Sequence, residues 1–215
     1  CGVLRLLWWL GRLEDGGYDC AGIAVQKDGW LVMVKGSGRI DALAEETQHG
    51  TLLPGTSGIG HTRWATHGAP TDTNAHPHMS ADGKFAIVHN GIIENYAALR
   101  DELKSKGFVF RSETDTEVIV HLLDMYYTGD LKAAVLHTAA RLEGSYALGV
   151  LCADQPGTIC AVKMASPLIL GVGVGENFFA SDVTALVSHT KNVIYLEDGE
   201  FAEITPDSIS IYDST

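Results

Sequence analysis

The punctuation of the apolar residues constrains this chain most. Short β-prone runs recur along it, most of them closed by Gly, Asp-Gly or Asn-Gly, while helical spacing is confined to one short block and one long one. Residues 21–25 and 30–34 flank Lys27-Asp28-Gly29, a hairpin signal, and residues 57–61 and 85–89 are further strands, each leading into a polar, glycine-containing loop. Residues 39–48 set Ile40, Leu43 and Ala44 at helical spacing. The long block predicts three helices. The first, 95–106, carries Leu99 and Leu103 on one face and stops at Gly107; the second, 115–127, groups Val118, Leu122 and Tyr126 behind a Thr114-x-x-Glu117 capping box; the third, 130–142, closes at Gly144. Strands follow at 146–152, 158–162, 168–172, 192–197 paired with 200–204 across Asp198-Gly199, and 208–212. Two groups of strands with helices between them, and neither a linker nor a repeat, predict one domain over residues 1–215, built as a layered α/β or α+β sandwich.

Composition removes several function classes. With 15 basic against 27 acidic residues the net charge is −12, which repels phosphate backbones and anionic lipid, so neither nucleic acid nor a membrane is an expected partner. Residues 4–10 are interrupted by Arg5, are too short to span a bilayer, and precede no small-residue cleavage site. The 215 residues suffice for a core that buries about 70% of the unfolded surface, so disulfides are not needed. The four cysteines form no C-x-x-C pair; the expectation is a reducing, cytoplasmic setting, with Cys152 and Cys160 as core thiols. Cys1 reads as a processed terminus that sets a free α-amino group beside a thiol.

Chemistry is expected in the polar loops at strand ends. His61-Thr62-Arg63-Trp64-Ala65-Thr66-His67-Gly68 concentrates more polar groups than packing calls for, and the Arg63 guanidinium is suited to fork onto a carboxylate. His89-Asn90-Gly91 is either a plain Asn-Gly turn or an oxyanion hole made from a side-chain amide and a backbone N–H. Residues 112–117 are either helix-capping residues or a carboxylate site for an ammonium group. His61, His67, His76 and His78 lack the companions of a metal site, so no metal is expected, and the run from Gly171 to Gly175 lacks a phosphate-loop ending and reads as a turn.

Taken together, H-T-R-W-A-T-H-G, N-A-H-P-H, H-N-G-I-I-E-N, S-E-T-D-T-E, L-E-G-S-Y-A, G-E-N-F-F-A-S-D and L-E-D-G-E, after an N-terminal C-G-V and R-L-E-D-G-G-Y-D-C-A-G, resemble the class II glutamine amidotransferases, which are N-terminal-nucleophile hydrolases. The resemblance spans nearly the whole chain and points to the subgroup that makes glucosamine 6-phosphate from fructose 6-phosphate. It implies an α+β fold, the four-layer αββα sandwich. It also implies hydrolysis of the L-glutamine side-chain amide without a cofactor, through a γ-glutamyl thioester on Cys1. The Cys1 α-amine, directly or through a water, would be the base, and Asn90 with the Gly91 N–H would hold the oxyanion. Arg63 would pair with the α-carboxylate and Asp115 with the α-ammonium, while Trp64, Thr66 and His67 would shape the loop over the substrate. Sugar-phosphate isomerase domains would be the partners, as would other copies, since full-length members oligomerise. Two departures matter. The stretch that in the family holds a strand and a helix is reduced to residues 3–11, and Gly16 and Cys20 stand where the family has Arg and Ser. A glutamine-binding relative without efficient turnover, an amidase acting on another amide, and the glutaminase domain of another class II amidotransferase are the alternatives.

Overall fold

A computed structural model describes residues 6–7, 10–11, 19–63 and 68–213 of the chain. Within these, period-two alternation in the central strands creates two buried faces per sheet. Strand β5 (Phe85–Ile93) sends Phe85 and Ile87 to one side and Ala86 and Val88 to the other. Strand β6 (Gly144–Cys152) does the same with Leu148 and Val150 against Ala147 and Leu151. A strand buried on both faces must be sandwiched.

Three antiparallel sheets result. The first has the order β2-β1-β3, from β1 (Cys20–Lys27), β2 (Trp30–Ser37) and β3 (Ser57–Arg63). The second has six strands in the order β12-β11-β7-β6-β5-β4, adding β4 (His78–Met79), β7 (Ile159–Met164), β11 (Phe201–Ile204) and β12 (Ile209–Tyr212). The third has the order β10-β8-β9, from β8 (Ile169–Val172), β9 (Asn177–Ala180) and β10 (Val193–Tyr195). Both three-stranded sheets lie on the same face of the six-stranded one. Ala24 and Ile59 of the first meet Ala86, Val88 and Leu151, and Leu170 of the third meets Ala147, Ala161 and Ala202. The six-stranded sheet contributes Ala86, Ala147, Ala161 and Ala202 to this contact.

The outer layers are helical. Helices α2 (Tyr96–Ser105), α3 (Glu117–Tyr126) and α4 (Leu131–Ala139) cover the far face of the six-stranded sheet with Leu99, Leu103, Val118, Leu122 and Val135. Helix α1 (Ile40–Glu46) covers the far face of the first sheet, packing Ile40 and Leu43 with Leu7 and Leu10 on Ile23 and Val25. Leu6, Leu7, Leu10 and Gly11 are helical as well, so the shortened stretch keeps helical residues. The order of layers is helix, sheet, sheet, helix, the expected αββα sandwich. No helix among the described residues is long and apolar enough to cross a membrane.

Four local expectations are corrected. Strand β5 runs on to Ile93, so Asn90 and Gly91 sit inside a strand rather than in a loop, paired with Ala147 and Tyr146. Asp198-Gly199 does not close a hairpin: β10 pairs with β8, and β11 with β7 and β12, so the turn hands the chain from one sheet to another. The capping box does not form. Helix α3 starts at Glu117, two residues later than expected, because the Glu117 carboxylate turns back to accept from the N–H groups of Arg111 and Ser112 at 2.8 and 2.7 Å. Helix α4 stops at Ala139 rather than reaching Leu142.

Candidate active site

A cavity of about 700 Å³ opens between the six-stranded sheet and the two smaller ones, with Gly58–Arg63 of β3 along one side and Asn177–Ala180 of β9 along another. It is the place where the sequence-predicted residues converge. Arg63, Asn90, Gly91 and Asp115 all line it, although they come from the end of β3, the end of β5 and the loop before α3. Cys1, Trp64, Thr66 and His67 lie outside the described residues.

The β5–β6 ladder fixes Asn90 and Gly91. Gly91 has φ +134°, and a Cβ there would fall onto the Ser145 carbonyl oxygen, with the Ser145 carbonyl carbon at 2.8 Å. No other residue can carry the chain through this point with the same backbone position. The exposed Asn90 side chain borders the same cavity.

Asp115 is 5% exposed, and its Oδ2 accepts the Ile93 N–H at 2.8 Å, two residues beyond Gly91. One hydrogen bond therefore ties the carboxylate to the strand that carries Asn90. A second tie is side by side with it: Thr116 Oγ1 meets His89 Nδ1 at 2.8 Å.

Arg63 is 4% exposed. Its guanidinium donates to the Gly68 carbonyl at 3.3 Å and, more weakly, to the Ala69 carbonyl at 3.5 Å, so it holds the far end of the loop that follows it. It also stands beside Cys20, the residue paired with it across β1 and β3. Burial pushes the Cys20 thiol up and the neighbouring guanidinium offsets part of that rise. Cys20, Cys152 and Cys160 are free buried thiols, and burial raises the latter two as well.

His61 and His76 line the cavity, and with His78 they pack ring against ring. The rings of His61 and His76 lie 4.5 Å apart face to face, and His78 meets His76 edge-on at 5.0 Å. His76 Nδ1 accepts the His89 N–H at 3.3 Å, and His78 Nε2 bonds Thr114 Oγ1 at 3.1 Å. Burial holds the rings neutral, lowering His61 and His78 to about 3 and His76 well below the usual imidazole range. Among the described residues no group of His, Cys, Asp or Glu is placed to hold a metal ion.

Sequence reasoning gave no role to Ser181, Asp182 and Phe179, which border the cavity from the β9 side; their only signal was the G-E-N-F-F-A-S-D stretch. It also passed over Thr116 and Asn74, whose hydrogen bonds reach residues far away in sequence.

A family model for the glutamine amidotransferase domain matches residues 46–212. The chain belongs to this family. The glutamine–fructose-6-phosphate aminotransferase (isomerizing) of Aquifex aeolicus is 53% identical over 203 residues, covering 94% of this chain and 34% of that protein. A protein of the same name from Thermus thermophilus is 51% identical over 208 residues, covering 97% and 34%. The chain thus spans about a third of the length of these curated relatives. Among solved structures, the glutamine phosphoribosylpyrophosphate amidotransferase of Bacillus subtilis superposes with a TM-score of 0.84 at 25% identity, covering 98% of this chain and 46% of that one. A glutamine aminotransferase class-II domain protein from Silicibacter pomeroyi shares the fold, with a TM-score of 0.66 at 14% identity over 92% of each chain. The αββα sandwich is therefore that of the class II amidotransferases.

Proposed function

We infer that residues 1–215 form one glutaminase domain that hydrolyses the side-chain amide of L-glutamine to glutamate and ammonia. The observation that carries this reading is the convergence of Arg63, Asn90, Gly91 and Asp115 on one cavity from three separate elements. A cation and an anion on its wall suit the two charged ends of a free α-amino acid, and they disfavour an amide that lacks those ends.

In this reading the Cys1 thiol gives its proton to the Cys1 α-amine as Sγ attacks the side-chain carbonyl carbon. The negative charge that builds on the carbonyl oxygen is held by the Asn90 amide and the Gly91 N–H, whose value lies in being fixed beforehand. The amine returns its proton to the departing nitrogen, ammonia leaves, and a γ-glutamyl thioester remains on Cys1. Water then cleaves the thioester, releasing glutamate and restoring the thiol. An α-amine titrating near 8 is suited to both proton steps at neutral pH. Arg63 takes the α-carboxylate, Asp115 the α-ammonium, and Trp64, Thr66 and His67 shape the loop over the substrate. No cofactor enters these steps.

The names of the relatives extend the reading to fructose 6-phosphate as acceptor of the ammonia, and to this the family resemblance adds sugar-phosphate isomerase domains in a longer, oligomeric, cytoplasmic enzyme. A second reading, glutamine binding with little turnover, is favoured by the shortened stretch at residues 3–11 and by Gly16 in place of the family's Arg. Glutamate release alongside calorimetric binding separates the two. Cys1→Ala should abolish release and leave the fold and part of the binding; unchanged release would end the assignment. A retained Met before Cys1 turns the amine into an amide and should be equally damaging. Equal rates with and without it would move the base to a side chain, with His67 the first to test.

A further inference from the structure

The glutamine reading assigns Arg63 and Asp115 to opposite ends of one small molecule, so the distance between them must be held to the length of that molecule. They belong to different elements, one at the end of β3 and the other in the loop before α3. The loop from Gly68 to His76 lies between them, and one side chain in it makes a connection. Asn74 is 2% exposed. Its Nδ2 donates to the Ala69 carbonyl at 3.0 Å, the same oxygen that receives Arg63 Nη1. The same Nδ2 also donates to Glu113 Oε2 at 3.3 Å, and Asn74 Oδ1 accepts the Glu113 N–H at 2.9 Å. Glu113 stands two residues before Asp115.

The contact is also tight. Gly68 has φ +79°, and a Cβ on it would lie 2.7 Å from Asn74 Nδ2 and 3.1 Å from Glu113 Cβ. The turn that Arg63 holds and the loop that carries Asp115 therefore close on the two sides of one carboxamide. The Asn74 N–H donates to the Thr71 carbonyl at 3.0 Å, a turn that fixes its backbone within its own loop.

We propose that Asn74 is a positioning residue: its carboxamide sets the spacing between Arg63 and Asp115 and thereby the affinity for glutamine. This rests on the glutamine reading. Asn74 is not among the described residues that line the cavity, so its loss should appear in substrate affinity and not in the chemical step.

The test is N74D in the full chain. Aspartate keeps the volume and the acceptor for the Glu113 N–H, but it loses both donated bonds and sets a carboxylate against the Glu113 carboxylate. Glutamine affinity is read as KM from glutamate release and as Kd by titration calorimetry, so a slow enzyme still reports. N74D should weaken affinity by about tenfold or more while kcat stays within about twofold. E113A, at an exposed side chain that threatens no core, removes only the Oε2 acceptor and should weaken affinity by about threefold. N74D/E113Q restores a donor–acceptor pair in reversed direction and should bind better than N74D. Affinities within about twofold of wild type in both single variants, a loss of kcat at unchanged KM, or a double variant no better than N74D would overturn the assignment. Wild-type protein that binds no glutamine would instead overturn the reading beneath it.

Discussion

Gly91→Ala should damage stability and activity together, and the structure sets the scale. The added methyl would meet three backbone atoms of β6: the Ser145 carbonyl oxygen, its carbonyl carbon at 2.8 Å and Tyr146 Cα at 2.9 Å. None is the flexible end of a side chain, so β5 and β6 must part where Gly91 pairs with Tyr146. A φ of +134° adds the cost of a conformation that alanine avoids. Strain of about 1–3 kcal/mol and overpacking of about 1–3 kcal/mol together give about 2–6 kcal/mol. That is a large share of the roughly 5–15 kcal/mol available to a domain. Urea unfolding followed by far-UV circular dichroism should show a lower midpoint with little change in slope. Glutamate release by the folded fraction should fall further than the stability loss explains, because the Gly91 N–H moves with the strand. A variant with wild-type midpoint and wild-type release would refute both the clash and the proposed use of that N–H.

Asn90→Ala should lower kcat for glutamate release about a hundredfold or more with little change in stability, since the side chain is exposed; a rise in KM alone would make Asn90 a substrate contact. Arg63→Lys should raise KM for glutamine by the equivalent of about 1.5–3 kcal/mol, because a lysine cannot form the planar fork; an unchanged KM would assign the guanidinium wholly to the Gly68 and Ala69 carbonyls. Acid should destabilise the fold below the usual imidazole range. The buried rings of His61 and His78 titrate near 3 when folded, so the unfolded chain takes up protons first, and their contribution is present above about 6.5 and lost as pH falls toward 3. Each ring adds a slope of up to about 1.4 kcal/mol per pH unit in that window. Thermal melts of wild type and a His78→Gln variant between pH 7 and 4 should converge as pH falls; parallel curves would contradict the burial argument.

Much of the fold was legible because local signals and tertiary structure agree. Asp28-Gly29 closes β1 onto β2 as the expected hairpin, and the apolar spacing of 95–106 and 115–127 marks the faces that α2 and α3 bury. The failures occur where a distant partner overrides a local one. Asp198-Gly199 carries the same turn signal as Asp28-Gly29, but the strand before it finds β8 and the strand after it finds β7, and no local pattern encodes that choice. Glu117 is spaced for a capping box yet binds the backbone of residues 111 and 112, which supply two N–H donors where the box would supply one. Residue type alone marked Arg63 as a carboxylate partner, whereas Asn90 as an oxyanion donor and Asp115 among residues 112–117 were picked out by the family resemblance; all three reach the cavity. Asn74 and Thr116 were not picked out, since their importance lies in bonds across 39 and 27 residues that neither composition nor spacing reveals.

The two halves of the site are built from different material, and this should separate their responses to mutation. Asn90 and Gly91 belong to a nine-residue ladder between β5 and β6, backed on one face by the helical core and on the other by the alanine-rich contact between sheets. Moving them requires breaking strand pairing. Asp115 lies in a loop tied to β5 through the Ile93 N–H, and the Arg63 guanidinium at the end of β3 is held by the Gly68 and Ala69 carbonyls of the loop that follows it. Such contacts are worth about 1.5–3 kcal/mol each and can be lost without unfolding a sheet. Substitutions around the recognition loops should therefore scatter in KM while the fold holds, whereas substitutions under β5 and β6 should lose kcat and stability in step. That division is what a glutaminase needs, since the oxyanion donors must be fixed before the charge arrives, while the groups that grip a free amino acid must also release it.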